Sequence, residues 1–303
     1  MDWQERMRAG ISWIESRLAG EFDIEEAARA ANTSPFHFMR MFDVIAGVSP
    51  AEYARRRRLS RAAMDLATSD ERIIDIALKY GYESPDSFTR AFKREFDCLP
   101  SDARKPGTAL HSYQPLSFSV ALSGATAMEF RIERRPALPL TGIPTRISTE
   151  NGENFRQVPL CWKAAEADGT LKALCSRLRP GGLGLLGVCH EFDMARGDFT
   201  YSIAMERPDD GAPGTGPGEA GPGSRDDGEL RCVDFEIPAA TWARITSRGP
   251  LVPNFQNTIK RVFSEWFPAS GKEHAGTAEI EYYGCDGDPG SAEYWCEYWV
   301  PLR

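Results

Sequence analysis

The sequence predicts two folded parts in one chain. An all-α unit spans residues 1–107 and a duplicated α+β unit spans 128–303, with a linker at 108–127. Three observations predict this. Apolar residues recur at helical spacing through the first hundred residues, then at alternating spacing from about Met128. A capped helix pattern repeats at an offset of fifty within the first part. A strand–helix–strand–strand order occurs twice in the second.

Ile11, Ile14 and Leu18 form the apolar stripe of a first helix. Asp23 precedes the acidic stretch IEEAARAA, a composition that suits a helix N-terminus, and Asn32-Thr33 ends it. Ser34 is placed to cap a third helix with Pro35 in its first turn, and Gly47 ends that segment. Ser49-Pro50 begins a long helix, AEYARRRRLSRAAMDLA, reaching about Ala67. The pattern then returns. IIDIALKY is a short helix, Gly81 a left-handed C-cap, and Ser84-Pro85 starts DSFTRAFKREF. Ser34 to Phe42 therefore aligns with Ser84 to Phe92, giving two helix-turn-helix units joined by an arginine-rich helix.

Residues 108–127, with Pro115 and many small residues, read as a linker. Beyond them, MEFRIERR, LGLLGVCHEF, FTYSIAME, LRCVDFEI, ATWARITS, AEIEYYG and YWCEYWVPL read as strands. Helices are expected near Leu160–Ala167 and Phe255–Phe267. PLTGIPTR has a partner in PAATWARITSR, and LCWKAAEADG in IKRVFSEWFPASG, each followed by two strands. Residues 208–229 are almost entirely Gly, Pro, Asp and small residues. They cannot bury a core and are expected to be a disordered surface loop.

Composition narrows the class. Of 303 residues, 42% are hydrophobic and 26% charged, which is ordinary for a globular protein. No run of eighteen apolar residues exists to cross a membrane, and MDWQERMRAG lacks an apolar export segment, so a cytoplasmic location is expected. The seven cysteines form no CxxC pair and the four histidines are scattered. Reduced core thiols are expected, with neither metal site nor cofactor. The net charge of -8 is uneven: residues 1–107 hold 17 basic and 18 acidic residues, so the surplus belongs to the second part.

The second helix of a helix-turn-helix presents side chains to the major groove, where arginine bridges O6 and N7 of guanine. Arg40 and Arg90 occupy equivalent positions in the two candidate recognition helices. Phe36, Met39, Asp86 and Thr89 lie nearby, while Phe38, Phe42, Phe88 and Phe92 face the core. Arg55 to Arg58 spread around a helix and cannot all touch DNA. Lys93, Arg94, Arg104 and Lys105 are further phosphate candidates.

In the second part, Trp162, Phe199, Tyr201, Trp242, Phe255, Trp266, Tyr282, Tyr283, Tyr294, Trp295, Tyr298 and Trp299 supply aromatic surface. Glu281 and Glu297 stand on apolar strands. An aromatic pocket with a carboxylate suits an amphipathic cation, but alternation also allows either glutamate to face solvent. GGLGLLG at 181–187 lacks the order of a dinucleotide loop and reads as the lead-in to a strand.

These residues carry a family resemblance. IEEAARAANTSPFHFMRMFDVIAGVSPAEYARRRRLSRAAMDLA and IIDIALKYGYESPDSFTRAFKREFDCLPSDARK resemble the DNA-binding domain of the AraC/XylS family. The resemblance implies that both units enter adjacent major grooves of double-stranded DNA. Arg40 and Arg90 would be the main base contacts, with Phe36, Met39, Asp86 and Thr89 flanking them. Pro35, Met39, Pro85 and Asp86 depart from the more usual polar readers, which bears on the DNA sequence recognised. AEIEYYG, SEWFPASG and YWCEYWVPL resemble the GyrI-like small-molecule-binding domain, in the Rob-like order of DNA-binding domain first. That resemblance implies an effector site at Glu281 neighboured by Tyr283 and Trp266, with Tyr201 and Trp242 on its wall. The chain is thus expected to be a nucleoid-associated transcription regulator and not an enzyme. It would bind a small effector and RNA polymerase, as a monomer or weak dimer. Three alternatives stand beside this. The second part is a hydrolase with Glu281 as general base and Tyr283 as partner, it is a protein-interaction module, or the chain is an architectural DNA binder.

Overall fold

The computed structural model describes residues 3–117, 127–149, 152–193, 196–207, 232–283 and 287–303. The expected loop at 208–229 and residues 118–126 of the expected linker lie outside them. The chain divides into two compact units, Met1–Ser123 and Gly124–Arg303.

Among the described residues the first unit has seven helices: α1 (Trp3–Ser16), α2 (Ile24–Ala30), α3 (Pro35–Ala46), α4 (Pro50–Thr68), α5 (Ile73–Lys79), α6 (Pro85–Phe96) and α7 (Pro100–Ala103). Local chemistry sets their starts. Asp23, Ser34, Ser49 and Ser84 each accept a backbone N–H from the first turn, and proline follows each serine. The fifty-residue repeat reaches past the recognition helices. Gly47 and Asp97 both end them at positive φ, 72° and 56°, and Pro50 and Pro100 both start the next helix. The core repeats as well: Phe38 packs on Phe42 as Phe88 packs on Phe92.

The arginine run is consumed inside this unit. Arg55 bonds Glu52 at 2.7 Å and Glu95 at 2.6 Å, and Arg56 bonds Glu52 at 2.7 Å. Arg57 holds Glu15 at 2.7 and 2.8 Å and also donates to the Tyr113 carbonyl. Arg58 donates to the Gly20 carbonyl. Burial pushes the Glu15 carboxyl up, but the Arg57 and Tyr53 hydrogen bonds outweigh it and hold it below its ordinary value. Residues 108–117, read from composition as the start of a linker, lie along α4. The Tyr113 N–H donates to Ser60 at 3.0 Å, the Leu116 N–H to the Tyr53 hydroxyl at 3.1 Å, and His111 packs on Phe96. The arginines thus pin α1 and this extended segment to the connecting helix.

The second unit is built on β1 (Phe130–Arg135), β2 (Leu138–Ser148), β3 (Leu186–Asp193), β4 (Asp198–Glu206), β5 (Val233–Ile237), β6 (Ala240–Arg248), β7 (Glu279–Tyr283) and β8 (Trp295–Leu302). They form one antiparallel sheet in the order β1-β6-β8-β7-β3-β4-β2-β5. Helices α8 (Glu153–Ala167) and α9 (Thr170–Cys175) follow β2. Helix α10 (Leu251–Arg261), a π-helical turn at Val262–Trp266 and α11 (Phe267–Ser270) follow β6. The duplication is visible in the sheet: β2-α8-β3-β4 matches β6-α10-β7-β8, and the strand order is mirrored about the β3–β7 seam. The two outer strands are exchanged. β1, which leads into the first half, pairs with β6 of the second, while β5 pairs with β2.

Leu138–Ser148, recognised in sequence only as a repeated segment, is a full strand despite two prolines. Pro144 pairs only with β4, so its missing N–H falls where β2 has one neighbour, and Pro139 lies near the start of the strand, where its carbonyl still accepts the Arg207 N–H at 3.0 Å. Glu297 does not face solvent. It is 2% exposed, bonded by Arg244 at 2.6 and 2.9 Å and by the Trp299 indole at 2.7 Å.

Candidate functional site

Helices α3 and α6 share caps and length but not surface chemistry. Arg90 is exposed on α6, as are Asp86, Lys93 and Arg94, and Thr89 is half-buried beside them. On α3, the Arg40 side chain is 11% exposed and lies 3.4 Å from Asp43, itself buried. Phe36 and Met39 are half-buried near the start of α3. The six residues expected at DNA therefore occur as two equivalent trios, with the two arginines in different environments.

In the second unit, alternation along β7 puts Glu279, Glu281 and Tyr283 on the face covered by the helices. Glu281 lies beside the seam, opposite Gly187 of β3 and Tyr298 of β8. Its Oε2 accepts two phenol hydrogen bonds, from Tyr201 at 2.6 Å and Tyr283 at 2.7 Å. The Trp162 indole donates to the Tyr201 hydroxyl at 2.6 Å, and its ring packs edge-on against Tyr283 at 5.0 Å. From the other half, Phe255 of α10 covers Tyr283 and Tyr298 at 5.9 and 6.0 Å. A carboxylate 6% exposed is thus ringed by aromatics from both halves. Burial pushes the Tyr201 and Tyr283 hydroxyls well above 10, and the Glu281 charge adds to it. Both remain donors. Burial likewise pushes the neighbouring Cys296 thiol up to about 12.

Two expected residues are not brought to this carboxylate. Trp242 lies on the opposite face of the sheet, 6.4 Å from Trp299 in a separate apolar cluster. Trp266 packs on Phe130 and Phe267. Trp162 and Phe255, read in the sequence only among the aromatics, do lie around Glu281, and Gly187 was not singled out there. A Cβ on Gly187 would sit 2.2 Å from the Tyr201 hydroxyl and 2.5 Å from Glu281 Oε2, so the bare backbone makes room for their bond. A glycine inside a strand is the signal for such an approach. A second buried carboxylate, Glu279, accepts from Tyr298 at 2.5 Å and faces His274 at 3.4 Å. Under α8, a cavity of about 440 Å³ is lined by Ile143, Ile147, Leu160, Cys161, Ile203 and Tyr201, with Asp168 and Gln157 also on its wall. Tyr201 thus borders the cavity with its ring and Glu281 with its hydroxyl.

Known proteins carry the same two parts. Residues 27–106 match the family described as a helix-turn-helix domain, and residues 128–303 match the GyrI-like small molecule binding domain. SoxS of Salmonella typhimurium is 38% identical over 104 residues, which are 34% of this chain and 97% of SoxS. The HTH-type transcriptional regulator YbfP of Bacillus subtilis is 41% identical over 104 residues, and the chain spans only 35% of YbfP. Among solved structures, SAV2435 bound to tetraphenylphosphonium is 18% identical, with a TM-score of 0.46 over 58% of this chain and 94% of that one. An AraC-type regulator from Chromobacterium violaceum is 24% identical, with a TM-score of 0.33 over 34% and 96%. The chain belongs to the AraC/XylS-like regulators, with a DNA-binding helix-turn-helix unit followed by a GyrI-like small molecule binding domain.

Proposed function

We propose that the chain is a sequence-specific transcription regulator whose effector is an amphipathic organic cation held at Glu281. Tyr201, Tyr283, Trp162 and Phe255 form the aromatic wall. The buried Glu281 carboxylate under two phenols carries this reading, because a cation over such rings gains both charge pairing and cation–π attraction. The cavity under α8 takes the apolar part of the same molecule. Two phenols held well above 10 on one oxygen suit holding a charge, not moving a proton, so no hydrolysis is assigned to Glu281 and Tyr283. Glu281→Gln is expected to weaken tetraphenylphosphonium binding at least tenfold, read by calorimetry on the full chain. Equal affinity in both proteins would overturn the site.

On DNA, Arg40 and Arg90 are the main readers, flanked by Phe36, Met39, Asp86 and Thr89. The protein acts as a monomer or weak dimer in contact with RNA polymerase at nucleoid DNA, and effector binding alters that contact or the placement of the units. Arg90→Ala is expected to lower the preference for the specific site by about 1–3 kcal/mol. A loss of the same size on random DNA would mean that Arg90 touches only phosphate.

A further inference from the structure

The fifty-residue repeat gives each position of α3 a counterpart on α6, and the outward positions differ in kind. Phe36 stands where α6 has Asp86 and Met39 where it has Thr89, while the exposed Lys93 and Arg94 have as counterparts Asp43 and Val44, which are buried. Arg40 and Arg90 are the same residue, yet Arg40 is mostly buried beside Asp43 while Arg90 is exposed. Within α3 the one arginine is therefore matched by the one aspartate, and the half-buried positions near the start of the helix are an aromatic ring and a thioether. Within α6, Arg90, Lys93 and Arg94 are exposed together.

Base edges in the major groove offer one apolar group, the 5-methyl of thymine, and contacts to it come from apolar side chains. Guanine O6 and N7 take arginine, and cytosine N4 donates to a carboxylate. We infer that the two units read different base chemistry. α3 adds thymine methyl reading through Phe36 and Met39 beside Arg40, whereas α6 reads G·C pairs through Arg90 and Asp86 and carries most of the phosphate attraction. This rests on the reading of the chain as a sequence-specific DNA binder. The operator is then asymmetric, with a thymine-bearing segment at α3 and a G·C-bearing segment at α6.

The test begins with selection of bound sequences from a random duplex pool using the full chain. The positions whose preference disappears in Arg90→Ala mark the α6 segment. Deoxyuridine then replaces thymidine in the other segment, which removes only the methyl group. Wild-type affinity is expected to fall about threefold per methyl lost at a contacted base. The same replacement in the α6 segment leaves affinity unchanged. Met39→Ala, on a half-buried position, is expected to bind thymidine and deoxyuridine duplexes more nearly equally. If deoxyuridine binds wild type as well as thymidine does, or if Met39→Ala and Phe36→Ala keep the full ratio, thymine-methyl reading by α3 is overturned while specific DNA binding stands. If no sequence is enriched at all, specific binding itself fails.

Discussion

Replacing Gly187 with alanine is expected to destabilise the second unit by roughly 2–4 kcal/mol and to abolish effector binding. The new methyl would occupy space 2.2 Å from the Tyr201 hydroxyl and 2.5 Å from Glu281 Oε2, well inside contact distance. Tyr201 is fully buried and its hydroxyl is also tied to Trp162, so the ring has little room to retreat. Its bond to Glu281 breaks, and a buried carboxylate loses one of the donors that hold it. Overpacking and the lost hydrogen bond both act on this one contact. Urea unfolding and calorimetric titration of the variant check this together. A wild-type midpoint with wild-type affinity would show that the seam between β3 and β7 opens more easily than its geometry implies.

Arg244→Ala is expected to cost about 3–5 kcal/mol, the effect of orphaning a buried charge. Arg244 bonds Glu297 through two nitrogens and Glu133 through a third, at 2.8 Å, and its guanidinium lies 4.0 Å over the Trp299 ring. Without it Glu297 keeps the Trp299 indole and Arg131, whose side chain is 54% exposed. Neither replaces two buried N–H donors. The double variant Arg244→Met with Glu297→Leu is expected to recover most of the loss, since apolar side chains remove both buried charges. Comparable unfolding midpoints for the single and double variants would show that packing, not charge, holds this face. The cluster lies on the sheet face away from Glu281, so the stability loss and the effector site are separable by experiment.

The helical unit was legible because its signals are local. Ser34-Pro35, Ser49-Pro50 and Ser84-Pro85 each specify a cap within four residues, and the structure finds each serine accepting its N–H. The fate of the arginine run was legible only in part: Glu52 lies within four positions of Arg55 and Arg56, but Glu95 and Glu15 lie about forty positions from Arg55 and Arg57. In the sheet, alternation told which residues of one strand share a face, but not which face of a neighbouring strand joins them. That depends on register, and register is a pairing between distant segments. Hence Tyr201 and Tyr283 meet Glu281, while Trp242, equally aromatic and equally placed on its own strand, falls on the other side. Trp162 and Phe255 come from helices whose approach to the sheet no spacing in the sequence encodes. Gly187 was visible as a glycine in a strand but not as the one facing the carboxylate.

The exchange of β1 and β5 makes each half depend on the other for its outer edge. Each β-α-β-β half closes its flank only with a strand lent by its twin, an arrangement like two clasped hands. A single half made alone would leave a bare strand edge on each flank, and bare edges seek other chains. With both halves in one polypeptide, each edge is closed by pairing within the chain. The halves need not be identical, and the site beside the seam takes its acid from one twin and its phenols from both.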